Sequence, residues 1–280
     1  MKILIIVGLL IVIFLEGVLS LRKSFLKNYP AIPTILNTSP SLATTRITLQ
    51  STPSIGYPYP SQVLDLTNWT VTLPIGEQKD ATEIKQPELS TYKIDPWFMP
   101  EVNGIRFRAP VNGVTTIGSN YSRSELREMT NNGRTRASWS SSVGTHTFFV
   151  EQAINAVPKK KQHVVAGQIH DKTQDVLVIR LEYPILYVNV GGKNVRTLDN
   201  HYTLGKRFTV KFVVSGGQTK VYYNNSNIPS YTLTKNYSGA YFKAGAYIQS
   251  NCNTEGSASL CNTNNYGEVI IYQVSVTHIN

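Results

Sequence analysis

An all-β chain folded as a jelly-roll β-sandwich, two antiparallel sheets with a cleft across one concave sheet, is the architecture this sequence predicts. Three observations carry the prediction. Beyond residue 60 the chain is a succession of short runs rich in Val, Ile, Tyr, Phe and Thr. Hairpin-type pairs punctuate them at Asn103-Gly104, Asn112-Gly113, Gly191-Gly192 and Gly216-Gly217. No long helical period competes, and no repeat of fixed length points to a propeller or solenoid. An outer sheet face can curve into a groove, and the chemistry of that groove must come from strand residues of one parity.

From the N-terminus, Lys2 precedes an apolar run over residues 3–15 and then "EGVLS", with Val18 and Ser20 as permissive residues for cleavage. Residues 1–20 therefore read as a secretory signal, and the protein is expected outside the cell. The competing reading is an uncleaved membrane anchor, since the hydrophobic stretch counted on to Leu21 approaches the ~20 residues of a membrane-spanning helix. Glu16 interrupts the run and favours the signal. Residues 21–60 are rich in Ser, Thr and Pro without a sustained period and read as a linker or disordered arm. The folded unit is expected over 61–280.

Within that unit the predicted strands are, in order, "GIRFRAP" (104–110), "YSRSELREM" (121–129), "HTFFVEQAI" (146–154), "HVVAGQIH" (163–170), "VLVIRLEY" (176–183), "ILYVNV" (185–190), "RFTVKFVV" (207–214), "KVYYN" (220–224), "YFKAGAYIQ" (241–249) and "EVIIYQVSVTHI" (268–279). The run "PKKKQH" over 158–163 is the densest positive cluster and reads as a solvated turn between two strands. Cys252 and Cys261, the two cysteines of the chain, lie in the polar stretch "NCNTEGSASLCN". In a secreted chain they are expected to form a local disulfide, and without a third cysteine or a nearby histidine they make no metal site.

The chain carries 27 Lys and Arg against 17 Asp and Glu, a net charge of +10. Loss of residues 1–20 removes Lys2 and Glu16 and leaves the balance unchanged. Such a charge suits a polyanion, and outside the cell an acidic polysaccharide is the natural one. Nucleic acid is allowed by charge alone, which is too little, and none is expected as a partner. With the leader cleaved no stable membrane association is expected, and a monomer is.

Three strands present an unusual outward face. In "YFKAGAYIQ", Tyr241, Lys243, Gly245, Tyr247 and Gln249 share one parity, while Phe242, Ala244, Ala246 and Ile248 share the other. Two phenols, an ammonium and an amide flank a glycine, which reads as room for a ligand to approach. In "YSRSELREM", Arg123, Glu125 and Arg127 share a face, the two arginines starting ~13 Å apart along the strand. Glu125 is expected to pair with both arginines and preorganise them for carboxylates. Glu128 falls on the opposite, core-facing parity, so it should lie near a strand end or a partner. In "AGQIHD", Gln168 and His170 face outward and Ile169 inward.

"RSELREM", "QIH" and "YFKAGAYIQ", in this order, resemble the three signature regions of the family 7 polysaccharide lyases, the alginate lyases. The resemblance implies a jelly roll over about residues 61–280, no obligatory metal or cofactor, and β-elimination of alginate, an acidic polysaccharide. It implies that Arg123 and Gln168 neutralise a uronate carboxylate and that His170 and Tyr247 carry the protons. In such families tyrosine serves as acid and base for one epimer and histidine is the base for the other; the division stays open here. Glu125, Arg127, Tyr241, Lys243 and Gln249 would bind neighbouring sugars, with Gly245 keeping the sheet open beside Tyr247. Isoleucine in "QIH" is associated in the family with guluronate-containing blocks, so Ile169 leans that way, although a core-facing residue cannot touch substrate. Closure over the cleft falls to "KTQD" (172–175) and to the loop between Cys252 and Cys261.

Other chemistries fit less well. A glycoside hydrolase needs two facing carboxyls, and Glu125 and Glu128 point to opposite sides of their strand. A sugar-binding lectin accounts for Tyr, Lys and Arg but not for a histidine and an amide beside them. A lyase for another uronan, such as a glucuronan, would reuse the same groups. His146, His163, His201 and His278 show no ligand spacing, and no G-x-S-x-G elbow occurs.

Overall fold

Paired glycines close two of the hairpins. In the computed structural model, which describes residues 56–279, Gly191 and Gly192 take φ of 56° and 77° between β10 (Ile185–Val190) and β11 (Lys193–Asp199). Gly216 and Gly217 take 55° and 73° between β12 (Arg207–Ser215) and β13 (Gln218–Tyr223). Left-handed values at both central positions make the tight turn whose twist matches antiparallel strands. Asn103 and Gly104 sit at a third hairpin, from β3 (Phe98–Glu101) to β4 (Gly104–Pro110), where Gly104 is already paired with Glu101. Asn112-Gly113 is no hairpin. Gly113 N–H bonds the Pro110 carbonyl and bends the chain away towards β5 (Arg123–Thr130) in the other sheet. The leader and nearly all of the arm read at 1–20 and 21–60 lie outside the described residues.

The remaining strands are β1 (Trp69–Glu77), β2 (Asp80–Ile84), β6 (Thr135–Arg136), β7 (Thr145–Ala156), β8 (His163–His170), β9 (Asp175–Glu182), β14 (Tyr231–Thr234), β15 (Tyr241–Ile248) and β16 (Tyr266–Ile279). One sheet runs β11-β10-β9-β8-β15-β5-β1-β2, with β6 paired to β5, and the other runs β14-β13-β12-β7-β16-β4-β3. Neighbours are far apart in sequence at β8-β15-β5, so three distant segments are brought side by side there. That is the jelly-roll sandwich expected from the strand pattern.

Alternation builds the core. Phe208, Val210, Phe212 and Val214 of β12 are buried while Arg207, Thr209, Lys211 and Val213 face out. On β15, Phe242 stacks 5.2 Å from Phe148 of β7 and 6.4 Å from Phe212, joining one sheet to the other. Each such side chain removed from water contributes about 1.5–3 kcal/mol.

Glu128 is buried on the core side of β5 and has the partners its position demands. One carboxylate oxygen accepts from Trp139 Nε1 at 3.1 Å and from the Phe242 backbone N–H at 2.8 Å. The other lies 2.6 Å from His278 Nε2 on β16. His278 Nδ1 in turn meets His146 Nδ1 of β7 at 2.8 Å, where one proton must be shared. His146 Nε2 faces only the carbonyls of Ser140 and Val143 and therefore carries a proton. The chain of contacts clasps the two sheets beside the strand that holds Tyr241 and Lys243.

Cys252 and Cys261 form the expected disulfide. It closes a loop whose helical turn, Cys252–Glu255, begins at an Asn251 cap and buries Glu255. Glu255 accepts the backbone N–H groups of Lys160 and Lys161. The basic run at 158–163 is thus docked through its backbone, with the side chains of Lys159 and Lys160 exposed.

Candidate active site

Antiparallel register gathers the predicted residues. β15 lies between β5 and β8, and pairs Tyr247 with Arg123, Lys243 with both Arg127 and Gln168, and Tyr241 with His170. Their alternates Leu126, Ile169 and Phe242 are fully buried beneath them. The result is a cleft of ≈ 1120 Å³ in which Arg123, Arg127, Gln168, His170, Tyr241, Lys243 and Tyr247 all form part of the lining.

Gly245 does not serve as expected. It takes φ +139° where the pairing of β15 with β8 is irregular, and a Cβ there would fall 2.5 Å from the Ser124 carbonyl oxygen and 2.8 Å from Glu125 Cα. The glycine makes room for the neighbouring strand, not for a ligand.

Glu125 lies under the cleft, with no exposed surface. It accepts from Gln168 Nε2 on one oxygen, and on the other from Arg123 Nη1 at 3.1 Å and Lys243 Nζ at 2.6 Å. Burial opposes its charge, but the Lys243 and Arg123 cations outweigh burial and hold the carboxyl below its ordinary value. Lys243 is brought down to about 8, by burial first and then by Arg123, with Glu125 pulling the other way. The expectation that Glu125 contacts sugars is therefore corrected: it reaches a ligand only through the three side chains it holds. Its expected pairing with both arginines is corrected as well. Arg127 lies 3.8 Å from the Tyr241 ring centroid and donates to the Glu128 carbonyl oxygen.

The two residues expected to carry protons sit in different settings. His170 Nδ1 lies 2.7 Å from the Asp171 carbonyl oxygen, which can only accept, so Nδ1 bears the proton and Nε2 keeps its lone pair. Burial, with Lys243 adding to it, pushes this imidazole below its ordinary pKa, so the ring is neutral at pH 7. It stacks on Tyr241 at 5.3 Å, and burial pushes that phenol up, keeping it protonated. Tyr247 lies under the Arg123 guanidinium, 3.8 Å from ring centroid to Cζ, and its hydroxyl is 3.2 Å from Ser119 Oγ.

The walls come from residues that the strand pattern does not single out. The β1-β2 hairpin supplies Glu77, Lys79, Asp80, Glu83 and Lys85, the segment 116–119 supplies Ser119, and Arg136 stands nearby. Charges at the hairpin tip in "GEQKD" are the available signal, and they read like any solvated turn. Thr173, Gln174 and Asp175 of the predicted closing segment do line the cleft, whereas the disulfide loop does not. Gln249 lies past the end of β15, outside the lining, with Nε2 donating to the Ile248 carbonyl. Among the described residues no group of three His, Cys, Asp or Glu gathers as metal ligands would, and no helix is long and apolar enough to cross a membrane.

A cleft floored by a guanidinium, an amide, an unprotonated imidazole nitrogen and a phenol can bind a carboxylate and move a proton next to it. The chain resembles known proteins of one family. A family model described as alginate lyase matches residues 64–278. The crystal structure of an alginate lyase from Corynebacterium sp. is 48% identical, with a TM-score of 0.76 over 79% of this chain and 100% of that one. Alginate lyase AlgAT5, of polysaccharide lyase family 7, is 49% identical, with a TM-score of 0.74 over 79% of this chain and 99% of that one. A shorter match, 34% identical over 83 residues, joins 28% of this chain to 27% of an alginate lyase of Klebsiella pneumoniae. The chain is thus a polysaccharide lyase and belongs to the alginate lyase family, in polysaccharide lyase family 7.

Proposed function

We propose that this protein depolymerises alginate by β-elimination, with Arg123 and Gln168 neutralising the uronate carboxylate and His170 and Tyr247 moving the protons. The observation that carries the reading is the tautomer of His170. Its bare Nε2 belongs to the same cleft as cationic and amide donors already fixed by a buried carboxylate.

A base takes the proton from C5, the electron pair forms the C4–C5 double bond, and the C4–O bond breaks. The departing oxygen takes a proton from an acid, leaving an unsaturated uronate at the new non-reducing end. An ionised carboxylate resists the negative charge that builds up next to it, so donors aimed at that carboxylate stabilise the intermediate. Arg123 and Gln168 each spend one N–H on Glu125 and have others to offer. In guluronate the C5 proton and the leaving oxygen lie on opposite faces of the ring, which calls for two groups, His170 as base and Tyr247 as acid. In mannuronate they lie on one face, where a single phenol can do both.

Guluronate-containing blocks are the proposed preferred substrate, following the family association of Ile169. That side chain is fully buried, so any influence passes through the packing of β8 under Gln168 and His170. Export by the leader read at residues 1–20 would bring the basic domain to its anionic polymer, where we infer that it acts as a monomer.

Purified protein and its Tyr247→Phe and His170→Ala variants should be incubated with polyguluronate and polymannuronate while the ultraviolet absorbance of unsaturated ends is followed. Loss of an acid-base group lowers the rate by about 10² to 10⁴. Wild-type turnover by Tyr247→Phe on both polymers refutes the assignment, and with glucuronan as a third substrate, absorbance from glucuronan alone would move the enzyme to another uronan.

A further inference from the structure

Ser119 is used by no step above, yet it is the side chain bonded to the proposed acid. It is buried to 8% exposure at the end of a cleft-lining segment. Its Oγ lies 3.2 Å from Tyr247 OH, 3.0 Å from the Tyr121 carbonyl oxygen and 3.1 Å from the Tyr121 N–H. A hydroxyl has one proton and two lone pairs. The Tyr121 N–H takes one lone pair, which leaves one lone pair and one proton for the carbonyl and the phenol.

We propose that Ser119 is a positioning residue for Tyr247, its hydroxyl reversing direction as the phenol loses its proton. In the resting site Tyr247 donates to Ser119, and Ser119 donates to the Tyr121 carbonyl. When the phenol turns its proton to the departing oxygen, Ser119 rotates its own proton from the carbonyl to the phenol oxygen. The two partners are at nearly equal distances, so no heavy atom has to move. The new bond meets the charge that develops on the phenolate, while the Arg123 guanidinium lies over the ring.

The backbone around Ser119 is held from two sides. Lys79 Nζ, from the β1-β2 hairpin, donates to the Ser119 carbonyl at 2.6 Å and to Asn120 Oδ1 at 3.3 Å. Asn251 Nδ2, at the disulfide loop, donates to the Asn120 carbonyl at 3.0 Å. Tethers of this kind fix where the hydroxyl sits relative to the phenol, as a positioning role requires.

This inference rests on the reading of Tyr247 as the acid. The test is steady-state kinetics of Ser119→Ala and Ser119→Cys on polyguluronate, with Tyr247→Phe run beside them and melting temperatures as the check on folding. Loss of one such hydrogen bond lowers kcat about 3- to 10-fold with KM changed by less than about two-fold. If alanine loosens the loop and lowers the melting temperature, cysteine fills the space with a weaker donor and shows the same loss in kcat. A Ser119 variant with wild-type kcat, or one whose whole effect is in KM, overturns the proposal while an inactive Tyr247→Phe leaves the parent reading standing. A fully active Tyr247→Phe removes the parent reading itself.

Discussion

His170 keeps its proton on Nδ1, and burial reinforced by Lys243 depresses its pKa below the ordinary 6.5. As the proposed base it must be unprotonated to act, so the acid limb of kcat/KM is expected below pH 6.5. Lys243→Met, which removes one of the depressing charges, should move that limb upward, read from pH-rate profiles of the two proteins. Glu125 works in the other sense. Its folded pKa lies below the ordinary carboxylate value of 4.5, so its contribution to stability is present above that value and is lost as pH falls through the lower folded one. Replacing it by alanine leaves Arg123 and Lys243 buried without their counter-charge, a loss of about 3–5 kcal/mol. Denaturant melts at pH 7 measure that loss, which should shrink in acid as the native carboxylate itself protonates.

Strand parity alone makes the cleft face legible in the sequence. In β15 it places Tyr241, Lys243 and Tyr247 on the cleft side and Phe242, Ala244, Ala246 and Ile248 in the core, because a two-residue period has one buried face. Parity is silent on what is not periodic. The irregular pairing at Gly245 and the strand end before Gln249 depend on neighbouring strands distant in sequence, and nothing in "YFKAGAYIQ" reports them. The hairpin wall from Glu77 to Lys85 is hidden for the same reason, since its place over β5 is set by the pairing of β1 with β5. Gly245→Ala should therefore destabilise the fold: its φ is poorly tolerated by a side chain and the added Cβ meets backbone. A melting temperature equal to that of the wild type would contradict this account of the glycine. Glu128 is a case where an odd residue is a true signal, a carboxylate on a core face whose partners lie 11, 114 and 150 positions along the chain.

At the scale of the molecule, 27 cationic side chains against 17 anionic ones fit a polymer with a carboxylate on every sugar. Attraction of this kind is screened by salt. KM for alginate should rise with ionic strength while kcat, set by groups packed within the cleft, changes little; equal sensitivity of both would place the charge effect in the chemical step. The central claim is elimination on a neutralised uronate, and mass spectrometry of the products from a guluronate oligomer of defined length tests it most directly. Elimination predicts pairs of fragments whose masses sum to that of the parent oligomer, one of each pair carrying an unsaturated non-reducing end. Pairs that together gain one water at the cut, with no unsaturated end, would show hydrolysis and contradict the account.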